Sequence, residues 1–340
     1  MPCGPRDAIT DVPGVRVGHC TVDEPDRGIH TGVTVVLPAP DSLFRQKLPA
    51  GAAVFNGFGK SMGLIQIREK GTLETPIVLT GVSSAGAMYD AQFRRSMEEH
   101  PEICGATGSV NPVVCECNDS WLNDARAARL DRRHLDEAYR AASADFEQGG
   151  VGAGRGMSCF QLKGGIGSAS RIVAVEGKEY ALGVLVNANF GRLEDLTLAG
   201  RRVGPDLAKR LAGLPPEREA GSIIIILGTD APLDSRQLAR LARRCFIGVA
   251  RTGSIVGDGS GDIAVAFSTA ARIPHEAPQD GVVAIPALHE TLIDPFFRAA
   301  AEAAEESILN ALFSAVGLRG RDGRVRHALA ELLPDPGRIA

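Results

Sequence analysis

The chain has 340 residues, 44% of them hydrophobic and 23% charged, the balance of a globular protein with a sizeable core in one large domain or two smaller ones. A net charge of −4 with no block of five like charges speaks against a nucleic-acid or membrane-surface partner. No apolar stretch reaches the ~20 residues a membrane span needs, and seven cysteines, an odd number with no CxxC pair, read as free buried thiols in a reducing compartment.

At the N-terminus, MPCGPRDAITDVPG lacks a basic region followed by an apolar run. No signal peptide is expected, and the protein reads as cytoplasmic. Short β-branched runs ending in glycine or a turn predict strands at 33–37, 76–80, 172–175, 182–186, 222–227 and 262–268. The run IIIIL at 223–227 is apolar throughout, as suits a strand covered on both faces. Helical patterns lie between the strands. One spans Asp131 to Phe146 and stops at Gly149-Gly150. In the next, Leu238, Leu241, Ala242 and Cys245 recur at i, i+3, i+4 and i+7 with arginines opposite, and Asp234 or Ser235 is its cap. The clearest helix opens at Asp294-Pro295, a cap followed by proline at the first helical position, and runs to Val316 before Gly317. The arginine-, glycine- and proline-rich end, 317–340, reads as a surface tail. Strands and helices interleave without linker or repeat, which gives one α/β domain of layered sheets and helices. The 40 glycines mark tight turns at strand ends.

Three glycine motifs carry little chemistry. GFGKS (57–61) looks like the end of a phosphate-binding loop, but Val54 stands where that loop needs a glycine. GGIGSAS (164–170) precedes a strand rather than opening a helix, unlike a dinucleotide fingerprint, and reads as a turn between strands. GDGSGD (257–262) lacks the alternating acids and final glutamate of a calcium loop, and reads as a tight loop entering a strand. The seven histidines form no HExxH or other close pair, so no metal and no other cofactor is expected.

Thr252-Gly253-Ser254 by itself is a turn, as most Gly-Ser pairs are. Its surroundings change its weight. In order along nearly the whole chain come AITDVPGVRVGH (8–19), TGVTVV (31–36), FNGFGKSMG (55–63), PIVLTG (76–81), PVVCECNDSWLND (112–124) and VGAGRGM (151–157). KGGIGSASR (163–171), LGVLVNANFG (182–191), LGTDAPL (227–233), RTGSIVGDGSGDIAVAFST (251–269) and EESILNAL (305–312) follow. On these blocks the chain resembles the DmpA-type aminopeptidases, the family of L-aminopeptidase/D-Ala-esterase/amidases and β-peptidyl aminopeptidases.

The resemblance implies a layered αββα sandwich of the N-terminal-nucleophile-hydrolase kind, shared with ornithine acetyltransferases. It implies a single catalytic domain, 1–340, that cuts itself between Gly253 and Ser254 into fragments 1–253 and 254–340. The Ser254 hydroxyl would attack the preceding carbonyl and take the acyl group onto oxygen, and water would then release the ester. Gly253 has no side chain to obstruct that geometry. The freed α-amine of Ser254, with a reference pKa of about 7.7–8.0, then serves as base beside its own hydroxyl. The implied substrates are small peptides, amides or esters of L-, D- or β-amino acids, and the implied assembly is a tetramer of cleaved heterodimers. An acyltransferase of the ornithine acetyltransferase type is the alternative, disfavoured because its nucleophile is typically threonine.

The family positions also assign roles. Asn189, in NANFG, falls on the oxyanion-stabilising asparagine; alone it reads as a turn residue. Glu116, in VVCECND, matches the glutamate that binds the substrate's ammonium; alone it reads as a solvated loop acid. Asn118 falls where the family offers backbone to the same amine. Trp121 replaces a tyrosine that assists catalysis in some relatives. An indole N–H can donate but cannot accept or act as an acid, so that role is lost and Trp121 shapes the pocket. A Ser/Glu pair before the final helix supports the nucleophile in relatives. Here ALHETLIDPFF offers His289 and Glu290 for that task, with a polar turn entering the helix as the other reading of His289.

Overall fold

The computed structural model describes residues 1–211 and 220–333. Three long strands come first, β1 (Arg16–Glu24), β2 (Ile29–Leu37) and β3 (Gln46–Gly57), followed by β4 (Ile77–Gly81) and β5 (Val113–Cys117). The second half supplies β6 (Gly165–Val175), β7 (Lys178–Asn189), β8 (Ala220–Thr229) and β9 (Gly259–Ser268). The main helices are α1 (Leu64–Lys70), α2 (Ala85–Glu99), α3 (Arg132–Arg140), α4 (Gly204–Arg210), α5 (Ser235–Arg251) and α6 (Asp294–Phe313).

These strands form two sheets. The smaller has the order β1-β2-β4-β5, and the larger β3-β9-β8-β7-β6. Their inner faces share one core, with Val36, Ile77 and Cys115 on one side and Leu185, Ile224, Ile226 and Val265 on the other. The outer face of the larger sheet meets α5 and α6 through Val184, Ile223, Ile225, Leu241, Ala304 and Ile308. On the outer face of the smaller sheet, Val33, Val35 and Val78 meet Met88 of α2 and Leu135 of α3. The layering is αββα. It explains why 223–227 is apolar throughout: alternate isoleucines of β8 face two different cores.

Most pairs are antiparallel, but β4 and β5 run parallel, and so do β8 and β9, the latter joined by α5 as the crossover. Asp234 caps α5 by accepting from the Gln237 N–H at 2.7 Å. The loop from α5 into β9 contains Ser254, so the crossover fixes the entry to that loop. Among the described residues no helix is long and apolar enough to cross a membrane. Five cysteines are buried and free, whereas Cys3 and Cys104 are exposed.

Several local expectations need correction. The helix after Asp131 ends at Arg140, because the chain then forms a bridge in which Val17 and Ser143 exchange both backbone hydrogen bonds. Asp294 is the first residue of α6 rather than its cap. GGIGSAS is no turn; from Gly165 onward it lies inside β6, where a Cβ on Gly167 would collide with the Ser307 carbonyl of α6. Residues 317–333 are no tail. They pair Leu318–Arg319 with Val325–Arg326, and the Lys163 N–H donates to the His327 carbonyl. Residues 334–340 of that expectation lie outside the described residues.

Candidate active site

The C-terminal ends of β5 and β7 reach the same edge as the start of β9. Asn189, last residue of β7, is paired with Ser222 of β8, and Ala220 is paired with Gly259 of β9. A cavity of about 340 Å³ opens here, and its lining includes Asn189, Asn118, Trp121, Ser158, Ser222 and Gly259.

The Asn189 amide is held at both ends. Its Oδ1 accepts from the Ser158 N–H at 2.8 Å, and its Nδ2 donates to the Asn118 carbonyl at 3.0 Å. One Nδ2 proton is left for another acceptor. Ser158 is fixed in turn by Lys163, whose buried Nζ donates to the carbonyls of Gly154, Met157 and Gly164 at 3.0, 3.1 and 2.6 Å. Three acceptors match the three protons of an ammonium, although burial pulls the lysine pKa down to about 7.

Glu116 sits near the end of β5 and is only 1% exposed, so it is not a solvated loop acid. Its Oε1 accepts from the Lys60 N–H at 2.8 Å, and its Oε2 has no hydrogen-bond partner among the described residues. Burial raises its pKa, against the opposing pull of the Lys60 N–H and ammonium. An under-coordinated buried carboxylate of this kind is poised for a cation. Asp119 is buried beside it. Its Oδ2 accepts from Thr31 Oγ1 at 2.7 Å and Asn123 Nδ2 at 3.1 Å. Burial pushes its carboxyl up to about 6, with the Glu116 charge contributing in the same direction. Through these bonds Asp119 ties the loop carrying Asn118 and Trp121 to β2.

Ser254 follows the last turn of α5, is buried, and its Oγ accepts from the Val256 N–H at 3.0 Å. The backbone on either side is unusual. Gly253 has φ +102°, and a Cβ there would lie 1.9 Å from the Asp195 carbonyl. Only glycine fits that position. Val256 has φ +54°, a conformation that a β-branched residue adopts only under strain.

His289 and Glu290 are not brought to this place. Glu290 is exposed and pairs with Arg236, Arg240 and Gln237, the last at 2.9 Å; the arginine and glutamine donors hold its pKa down at about 2. His289 Nδ1 lies 2.8 Å from Thr291 Oγ1. The reason is helix direction. Helices α5 and α6 run side by side the same way, with Phe297 against Arg240 and Glu305 against Arg251. Residues preceding α6 therefore meet the start of α5, about 25 Å of helix away from its end.

Side chains beyond the expected set complete the cavity. Arg326 is buried, donates from Nε to Ser158 Oγ at 2.8 Å, and stacks 3.4 Å above the Trp121 ring centroid. Arg324 donates to the Trp121 carbonyl at 3.2 Å. No local pattern in the sequence marks either arginine.

Comparison with known proteins gives concordant matches. The family model described as Peptidase family S58 matches residues 7–326. The beta-peptidyl aminopeptidase BapA of Sphingosinicella microcystinivorans is 36% identical, with 96% of this chain and 87% of BapA covered. Among solved structures, the PH0078 protein from Pyrococcus horikoshii OT3 is 50% identical with a TM-score of 0.92, over 100% of this chain and 96% of that one. The L-aminopeptidase D-Ala-esterase/amidase from Ochrobactrum anthropi, described as a variant of the Ntn hydrolase fold, is 32% identical with a TM-score of 0.88, over 100% and 96%.

Proposed function

The chain belongs to peptidase family S58, and from that membership we propose that it is a self-processing serine aminopeptidase acting on small peptides and amides. It is a hydrolase of the Ntn fold; the acyltransferase alternative is not favoured, since BapA and the Ochrobactrum enzyme are both aminopeptidases by name. The cut at Gly253–Ser254, the roles of individual residues, a tetramer of cleaved heterodimers and a cytoplasmic location are parts of the proposal.

The observation that carries the reading is the turn at Thr252–Ser254. A glycine-only conformation before a buried serine, and a strained valine two residues after it, bracket the bond to be cut, and strain of this kind concentrates at sites of chemistry. Attack by Ser254 Oγ on the Gly253 carbonyl forms the C–O bond and breaks C–N. The released nitrogen becomes the α-amine of Ser254, and water hydrolyses the ester. In turnover the amine takes the hydroxyl proton as the oxygen attacks the substrate carbonyl, then passes it to the leaving amine. Asn189 Nδ2 donates to the oxyanion; losing such a donor commonly costs about 10²–10³ in rate. Glu116 holds the substrate's ammonium, and Asn118 fixes the Asn189 amide. His289 and Glu290, a helix length away, take no part.

A denaturing gel with N-terminal sequencing tests the processing step. Fragments of about 27 and about 9 kDa are expected, apportioning 35.7 kDa by residue number, the smaller beginning Ser-Ile-Val-Gly. Ser254→Ala should abolish both the cut and turnover. A fully active chain that stays whole overturns the mechanism.

A further inference from the structure

The hairpin that carries Ser158 is built against its own sequence. Ser158–Cys159 and Leu162–Lys163 pair as two short strands. Between them Phe160 and Gln161 make a two-residue turn with φ of +50° and +58°. A turn of this length favours positive φ at both positions, and Asn-Gly is the usual pair. Phenylalanine and glutamine are poor choices, because their side chains crowd the backbone in that conformation. Packing explains the first of them. Phe160 is fully buried, its ring centroid 5.2 Å from that of Phe190, and its N–H donates to the Phe190 carbonyl at 2.6 Å.

Packing does not explain Gln161, which is half-buried and lines the cavity together with Asn189 and Ser158. Its Oε1 accepts from the Leu193 N–H at 3.1 Å. That partner can only donate, so the orientation of the amide is fixed and Nε2 is its other end. Among the described residues Nε2 makes no hydrogen bond, which leaves two donors for an acceptor in the cavity. Glycine would relax the turn but forfeit this amide. Backbone strain retained under such a side chain concentrates where ligands are held. The same hairpin sets the Asn189 amide, through the Ser158 N–H, so one unit fixes both groups.

The N-terminal residue of an aminopeptidase substrate has a single backbone carbonyl, the scissile one, and its oxyanion is assigned to Asn189. A further backbone acceptor therefore belongs to the residue that leaves. We infer that Gln161 determines specificity by donating from Nε2 to the carbonyl oxygen of the leaving residue, so that amino acids and peptides are preferred as leaving groups over simple amines. This rests on the aminopeptidase reading of Asn189 and Ser254 and narrows its substrate class.

Three compounds test it: an alanyl glycinamide, the matching alanyl isobutylamide, which lacks the second carbonyl, and an asparaginyl isobutylamide, which carries an acceptor on the N-terminal side chain instead. The alanine is whichever of the L-, D- or β-forms the processed enzyme releases fastest. The quantity read is the glycinamide to isobutylamide ratio in kcat/KM, compared between wild type and variant so that leaving-group chemistry cancels. In Gln161→Gly, whose backbone suits the turn, the ratio should fall roughly 3- to 10-fold. Gln161→Glu keeps an acceptor for Leu193 and replaces the donor end by an oxygen, so the ratio should fall at least as far. A ratio unchanged in both variants overturns the inference and leaves the aminopeptidase reading intact. So does a selective loss of the asparaginyl compound, which would assign the donor to the N-terminal side chain. A processed wild type that hydrolyses none of the three overturns the aminopeptidase reading and this inference with it.

Discussion

Two glutamates, one near the end of β5 and one just before α6, were both expected to serve the same reaction. Glu290 is exposed and saturated by two arginines and a glutamine, with its pKa held at about 2. Glu116 is buried, has one backbone donor, keeps its second oxygen without a hydrogen-bond partner among the described residues, and has its pKa raised by burial. The difference teaches where reactivity is stored. A carboxylate whose neighbours already neutralise it has nothing left to offer a substrate, whereas one that is desolvated and under-coordinated gains most when an ammonium arrives.

Removing each carboxylate in turn tests the contrast. The largest effect belongs to Glu116→Gln, which keeps the shape and removes the charge. Losing one member of a desolvated charge pair commonly costs about 2–5 kcal/mol, so kcat/KM for free-amine substrates should fall by at least roughly 30-fold. Self-cleavage should proceed, because no free ammonium exists at the Gly253–Ser254 bond before the cut. An uncut Glu116→Gln chain, or one with full activity, would erase the distinction drawn here.

Asp119 belongs with Glu116, since burial dominates its pKa too. A carboxyl near 6 in the folded protein and near 3.8 unfolded keeps a proton on folding that the unfolded chain has already released. Its contribution to stability is therefore best in acid and is lost as pH rises from about 4 through 6. Between pH 5 and pH 8 this group should cost the wild type about 1–2 kcal/mol that Asp119→Asn does not lose. Urea titrations at both pH values measure it. A wild-type minus variant difference that does not change with pH would remove Asp119 from the comparison.

The smallest effect is predicted for Glu290→Gln. Processing and kcat/KM should stay at wild-type values, with only a slight drop in the thermal midpoint that about 1 M salt erases. Because the folded pKa is depressed, that drop should also vanish as pH falls from about 4.5 towards 2. A large loss of activity would place Glu290 back in the chemistry.

The sequence foretold the central pieces unevenly. The all-apolar run of β8 and the Asp234 cap of α5 were legible because local pattern decides both. The blocks around Glu116, Asn189 and Ser254 were legible as a family resemblance, while their burial and mutual bonds were not. His289 and Glu290 misled because spacing before a helix says nothing about which end of a neighbouring helix it meets. The 317–333 segment misled for a related reason. Its arginines look solvated in composition, and the partners that meet Arg326 in the fold, the flat face of Trp121 and the hydroxyl of Ser158, lie far away in sequence.

Position in the fold gives the cut at Ser254 one further consequence. The fragment that begins there would carry β9, inserted between β3 and β8, and α6, which packs across β6, β7 and α5. Neither piece can leave without opening the core on both faces of the larger sheet. The mature molecule would hold together like two interlaced hands, yet it would lose the memory of being one chain. Before the cut, a denatured molecule refolds alone at a rate independent of dilution. Afterwards its halves must find each other, so recovery becomes second order and fails in dilute solution. Maturation would thus exchange reversibility for kinetic persistence: a protein that folds once, as a single strand, and thereafter survives only by never coming apart.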